Sequence, residues 1–136
     1  MAKFFKSIFQ RTSTALKLSE PMQMSLVVRN DLKMSPGKIA AQCAHAAVMC
    51  YEKAAKAKPE HLNAWIHLGQ PKIILRVSTQ GEIEYLAKIA NEKQIVNGLV
   101  RDAGRTEVLA GTVTVVGIGP DTKAKVDEVT KKLKLL

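Results

Sequence analysis

Two stretches of this 136-residue chain put reactive residue types where local structure alone does not ask for them. The first is Ser35-Pro36-Gly37-Lys38. Ser35 suits a helix N-cap and Pro36 the first helical position, so Lys38 falls near the third. The helix dipole opposes a cation there, at a cost of a few tenths to about 1 kcal/mol. A carboxylate or a phosphate would offset that cost. The plain alternative is a solvated lysine on a tolerant helix start. Lys38, Gln42, His45 and Met49 follow one row along the helix, with Lys38 and His45 nearly eclipsed two turns apart. The second stretch is Arg101-Asp102-Ala103-Gly104-Arg105-Thr106, followed by Gly111-Thr112-Val113-Thr114-Val115. Loops this dense in polar groups often bind ligands. Strict alternation points the hydroxyls of Thr112 and Thr114 to one side, either to line a site or to form an ordinary solvated strand face.

Alternating strands and helices must position these residues. Met24–Arg29 reads as a β-rich run ending in Asn30-Asp31 turn chemistry. A helix from Ser35 to about Lys58 closes at Pro59, and a shorter helix covers Glu60–Leu68. Gly69-Gln70-Pro71 is a break. Lys72–Val77 is a second strand, Glu82–Lys93 a helix and Gln94–Arg101 a third strand, weakened by Asn97-Gly98. Thr112–Ile118 is a fourth strand, broken by Gly119-Pro120-Asp121 before a final helix over Thr122–Leu133. This order argues an α/β fold in one domain, with a four-stranded sheet that contains parallel pairs. No helix-length connection separates the third and fourth strands, so they are expected to be antiparallel neighbours. In the long helix Ile39, Cys43, Ala46, Ala47, Cys50 and Ala54 form a stripe of small and apolar residues that can lie close on a sheet.

Composition bounds the function. The chain is 46% hydrophobic and 24% charged, which excludes disordered, collagenous and disulfide-scaffold classes. Its formal charge of +9 points toward a polyanion partner. Lys3, Lys6, Arg11 and Lys17 against Glu20 give residues 1–23 a net +3 of that total. All three Phe (Phe4, Phe5 and Phe9) also lie there, so residues 1–23 read as an appendage and residues 24–136 as the body. The appendage fits a transit peptide, a membrane-surface segment or an undocked tail. No run approaches the roughly 20 apolar residues of a membrane span. Cys43 and Cys50 sit about 10.5 Å apart along a helix, too far for a disulfide between them, and read as small buried residues. His61 and His67 stand six apart without evident companions, so no metal site is expected. Gly117-Ile118-Gly119 lacks the rest of a dinucleotide-binding pattern. Lys53, Lys56 and Lys58 read as a solvated helix face, and Trp65 as packing for the short helix.

Gly37-Lys38-Ile39-Ala40-Ala41-Gln42-Cys43-Ala44-His45-Ala46 resembles the signature of the archaeal/eukaryotic-type peptidyl-tRNA hydrolases. So do Gly69-Gln70-Pro71-Lys72, Arg101 to Thr106, Gly111 to Val115 and the ending Leu133-Lys134-Leu135-Leu136. The resemblance covers about residues 24–136. It implies a single three-layer α/β domain with a four-stranded mixed sheet between helices, and hydrolysis of the ester between a peptide and the terminal ribose of tRNA, without metal or organic cofactor, by a protein that is usually dimeric. By similarity the catalytic candidates are Lys38, Asp102, Thr106 and Thr114, with His45 nearby. Lys33, Arg105, Gln42 and Thr112 are candidate tRNA contacts. A cytoplasmic location is expected, with residues 1–23 as an alternative mitochondrial address.

Ester hydrolysis needs an oriented water, a proton acceptor and donors for the developing oxyanion. Asp102 can orient or deprotonate water. Lys38 can donate to the oxyanion, hold Asp102 ionised, or contact a phosphate. Thr106 and Thr114 can position the water or the carbonyl. No Ser-His-Asp or Cys-His arrangement is evident, so direct attack by water is favoured over an acyl-enzyme. The rival class is a basic module that binds RNA or a protein and hydrolyses nothing.

Overall fold

A computed structural model describes residues 20–104 and 108–136. The chain begins with strand β1 (Met22–Arg29) and a single 3-10 turn (Asn30–Leu32), which leads into helix α1 (Pro36–Ala57). A short helix α2 (Pro59–His67) precedes strand β2 (Lys72–Val77), helix α3 (Gln80–Glu92) and strand β3 (Asn97–Arg101). Strand β4 (Val113–Thr122), helix α4 (Lys123–Thr130) and a two-residue strand β5 (Lys134–Leu135) complete it. The sheet order is β3-β4-β1-β2-β5. β1 and β2 run parallel, and the other three pairs are antiparallel.

The β1–α1–α2–β2 crossover and α3 with α4 cover opposite faces, because residues along β1 alternate between two cores. Leu26 and Val28 pack with Ala46, Cys50, Ala54, Leu62 and Trp65. Val27 between them packs with Ile83, Leu86, Ala90 and Val126. The small-residue stripe lets α1 settle directly on the sheet. Gly98 and Gly117 face each other across β3 and β4 beneath the helix. A Cβ on Gly117 would meet the Cys50 sulfur at 2.6 Å, and one on Gly98 would strike Met49. Gly98 therefore does not weaken β3 but makes room for α1. Both cysteines are buried and free.

Three expectations need correction. The sheet has five strands, not four: the last helix stops at Thr130, and Leu133 turns back by donating to the Thr130 carbonyl at 3.0 Å. That turn lays Lys134 and Leu135 along β2, where Arg76 Nε donates to the Leu135 carbonyl at 3.1 Å. β4 is not broken at Gly119-Pro120-Asp121 but runs to Thr122, buried throughout. A register shift opposite it, between Gln23 and Ser25, absorbs the residue that cannot donate to the ladder. β3 begins at Asn97, because Gln94 takes a left-handed conformation (φ 56°) in the turn after α3. Among the described residues, no helix is long and apolar enough to cross a membrane.

Candidate active site

The carboxyl ends of β1 and β3, the start of β4 and the N-terminus of α1 meet at one edge of the sheet. Arg29, at the end of β1, ties this edge together: its guanidinium donates to the Val113 carbonyl and to Gln80 Oε1, both at 3.2 Å. A bulge shapes the site itself. Val100 pairs with Val115, but the next residue, Arg101, pairs with Val113, leaving Thr114 as the extra residue of β4. Val113 and Val115 accordingly enter opposite cores, so the strict alternation expected around the two threonines does not hold. Bulges bend strands and re-aim their neighbours, and this one stands immediately before Asp102. The Asp102 backbone is pinned across the gap: its N–H donates to the Thr112 carbonyl at 2.9 Å, and its carbonyl accepts from Gly111 N–H at 2.7 Å.

Asp102 is 4% exposed, and its carboxylate collects donors from two directions. Lys38 Nζ forms an ion pair with Oδ2. Gln42, one turn further along α1, donates to the same oxygen from Nε2 at 3.0 Å. The backbone N–H of Gly104 donates to Oδ1 at 2.6 Å. Ser35 caps α1 as expected, its hydroxyl accepting from Lys38 N–H at 3.3 Å, so Lys38 does occupy the turn where the dipole opposes it. Of the two anions its position called for, the protein supplies the carboxylate. Such a pair orders both side chains, and removing one partner leaves a costly unpaired charge.

The remaining candidates fall into place around this centre. Gln42 is part of the carboxylate network and 3% exposed. Thr114 is fully buried, and its hydroxyl donates to the Val100 carbonyl at 3.4 Å, two residues before Asp102. Thr112 is half-buried at the mouth of β4 and holds Asp102 through its backbone. His45 is exposed on α1, about 10 Å along the axis from Lys38. Lys33 is exposed and left-handed (φ 49°) at the end of the 3-10 turn. Arg105 and Thr106 lie outside the described residues. Gly104 was not singled out within its loop: a backbone donor carries no side-chain signal, though its φ of 79° shows why glycine stands there.

A second carboxylate is buried at the opposite edge. Asp121, near the end of β4, is fully buried and faces Lys58 Nζ at 3.3 Å and His61 Nε2 at 3.5 Å. Lys58 also donates to the Gln94 carbonyl. His61 is thus accompanied and Lys58 engaged, contrary to the sequence reading of both. Trp65 behaves as expected, 1% exposed with its indole N–H donating to the Pro71 carbonyl at 2.8 Å.

The site thus pairs a carboxylate with an ammonium at the sheet edge of a basic α/β protein. A family model described as "Peptidyl-tRNA hydrolase PTH2" matches residues 22–136, and the chain belongs to that family. A probable peptidyl-tRNA hydrolase 2 of Drosophila melanogaster is 46% identical over 119 residues, covering 88% of this chain and 64% of that protein. A peptidyl-tRNA hydrolase of Methanococcus maripaludis is 42% identical over 114 residues, 84% of this chain and 98% of that protein. The human "Peptidyl-tRNA hydrolase 2, mitochondrial" is 44% identical over 113 residues, 83% of this chain and 63% of that protein. The chain therefore spans nearly all of the archaeal relative and just under two-thirds of the fly and human ones.

Proposed function

We propose that the chain hydrolyses the ester joining a peptide, or an N-blocked amino acid, to the terminal ribose of tRNA, recycling tRNA from abandoned translation. The observation that carries this reading is the buried Lys38–Asp102 pair at the sheet edge, in a chain of the peptidyl-tRNA hydrolase family. Asp102 accepts a proton from water as the water oxygen adds to the ester carbonyl. Lys38 has three N–H donors, and one serves Asp102, so the others can meet the developing oxyanion. The proton passes to the ribose oxygen as its bond to carbon breaks, leaving a free peptide and a vicinal diol. No covalent intermediate forms, and no metal or organic cofactor takes part, so a chelator leaves the rate unchanged.

Thr114 acts through the strand, bracing the bulge that aims Asp102, while the role assigned to Thr106 is to position the water or the ester carbonyl. Lys33, Arg105 and Thr112 contact tRNA, and His45 sits at the rim. The body begins with β1 at Met22, two residues before the expected boundary at 24, and works in the cytoplasm as a homodimer, with the residues ahead of it as an appendage. Sedimentation tests the dimer, and a fluorescent fusion of residues 1–23 decides between cytosol and mitochondrion. The test of the activity is incubation with N-acetyl-aminoacyl-tRNA and with free aminoacyl-tRNA. Cleavage of the first alone is expected. Binding without cleavage contradicts the proposal.

A further inference from the structure

Among the described residues, the active-site edge holds one buried side-chain acceptor with nothing to accept: Oε1 of Gln42. Its orientation is not arbitrary. Nε2 donates to the Asp102 carboxylate at 3.0 Å, and flipping the amide would set oxygen against oxygen. Gln42 is 3% exposed, so bulk water scarcely reaches Oε1 in the free protein. A buried acceptor left unmade costs about 1–3 kcal/mol, and such exceptions call for an explanation. Asp102, one amide width away, already accepts from Lys38, Gln42 and Gly104.

We infer that Gln42 Oε1 accepts a hydrogen bond from the ribose hydroxyl adjacent to the scissile ester. This rests on the hydrolase reading above and names the group of the substrate that the site recognises. An acceptor that serves every peptidyl-tRNA must meet a donor that every one carries. The ester has no donor of its own. The amide N–H of the last residue is missing when that residue is proline. Of the donors that every substrate carries, the amino group of the terminal adenine lies on the far side of the sugar, whereas the vicinal hydroxyl adjoins the scissile ester, and a 2′-hydroxyl is also what separates RNA from DNA at a given site. Gln42 thereby makes two bonds with one amide: Nε2 to the carboxylate and Oε1 to the sugar.

The test is a two-by-two cycle on the full chain. Its substrates are tRNAs bearing a 3′-linked N-acetyl-aminoacyl group on a terminal adenosine or on a terminal 2′-deoxyadenosine. The unmodified protein is expected to favour the ribose substrate by about 5- to 30-fold in kcat/KM, the worth of one such bond. Gln42→Met slows both substrates through the lost Nε2 bond, but its preference between them falls to near one. Gln42→Asn, which keeps the amide but withdraws it by one methylene, also loses the preference. An unmodified protein that cleaves both substrates equally overturns the inference without any variant. So does a preference that Gln42→Met leaves intact, because the hydroxyl is then read elsewhere. A Gln42-dependent preference against C-terminal proline, with the deoxy substrate tolerated, assigns Oε1 to the peptide N–H and overturns it too. Cleavage of neither substrate overturns the hydrolase reading itself, and the inference with it.

Discussion

Helix α1 carries a buried lysine–aspartate pair at each end, and the two obey different rules. At its N-terminus Lys38 meets Asp102, and just past its C-terminus Lys58 meets Asp121. Both carboxylates are essentially inaccessible, and each takes a further partner from a helix, Gln42 for one and His61 for the other. The C-terminal pair agrees with its surroundings. A cation at a helix C-terminus complements the dipole. Lys58 also holds the turn before β3 through Gln94, and Asp121 accepts from Thr122 N–H at 2.7 Å. The N-terminal pair is set against the dipole and keeps an acceptor open. Each cluster leaves one buried polar atom unpartnered, Gln42 Oε1 at one end and His61 Nδ1 at the other, so the conflict with the helix dipole, a local preference violated in an otherwise consistent neighbourhood, is what distinguishes the N-terminal pair.

The sharpest way to break this contrast is at Lys38. With Lys38 as the proposed oxyanion donor, Lys38→Met is expected to slow single-turnover cleavage of N-acetyl-aminoacyl-tRNA by about 10²- to 10³-fold. Binding of tRNA and its salt dependence should stay close to those of the unmodified protein. A weaker, less salt-dependent complex with an unchanged chemical step would make Lys38 a phosphate contact instead. The matching change at the other end is Asp121→Ala, which strands Lys58 in a mostly buried position. It is expected to cost about 3 kcal/mol, read as a lowered urea midpoint. The rate per folded molecule should hold.

A smaller effect lies in pH. Burial is the first cause lowering the His61 pKa from its ordinary 6.5, aided by Lys58 and Lys125 and opposed by Asp121 and Glu60. Below pH 6.5 the unfolded chain therefore binds a proton that the folded chain resists, and stability falls with pH. The urea midpoint should drop between pH 7.5 and 5.5, and His61→Gln should flatten that drop. An unchanged slope in the variant would remove His61 as its source. The smallest change expected is Thr114→Val. Removing its bond to the Val100 carbonyl should cost about 1 kcal/mol of stability and a modest fraction of the rate. A loss as large as that of Lys38→Met would place the hydroxyl on the substrate.

The sequence exposed one end of this comparison better than the other. Ser35, Pro36 and Lys38 are neighbours, so their conflict with the helix dipole is local and readable. The choice between carboxylate and phosphate was not, because Asp102 is 64 residues away. The small-residue stripe told that α1 lies close on the sheet, but not that Gly98 and Gly117 wait beneath it. β2 is found at the expected Lys72–Val77, where flanking breaks define it. β4 outran its expected end because proline reads as a stop until a facing register shift accommodates it. β5 is two residues long and has no periodicity to detect. His61 looked unaccompanied because its partner, Asp121, is 60 positions further along and joins it only through the fold.

One buried aspartate is expected to do chemistry and the other to hold the fold. Asp102→Asn and Asp121→Asn, each isosteric, test it when single-turnover cleavage of N-acetyl-aminoacyl-tRNA and the thermal midpoint are measured on both. Asp102→Asn is expected to lose about 10²- to 10⁴-fold in rate while staying folded at the assay temperature. Asp121→Asn is expected to melt lower and to cleave at the unmodified rate once folded. Equal rates for Asp102→Asn and the unmodified protein, or a catalytic loss confined to Asp121→Asn, would contradict this division of roles.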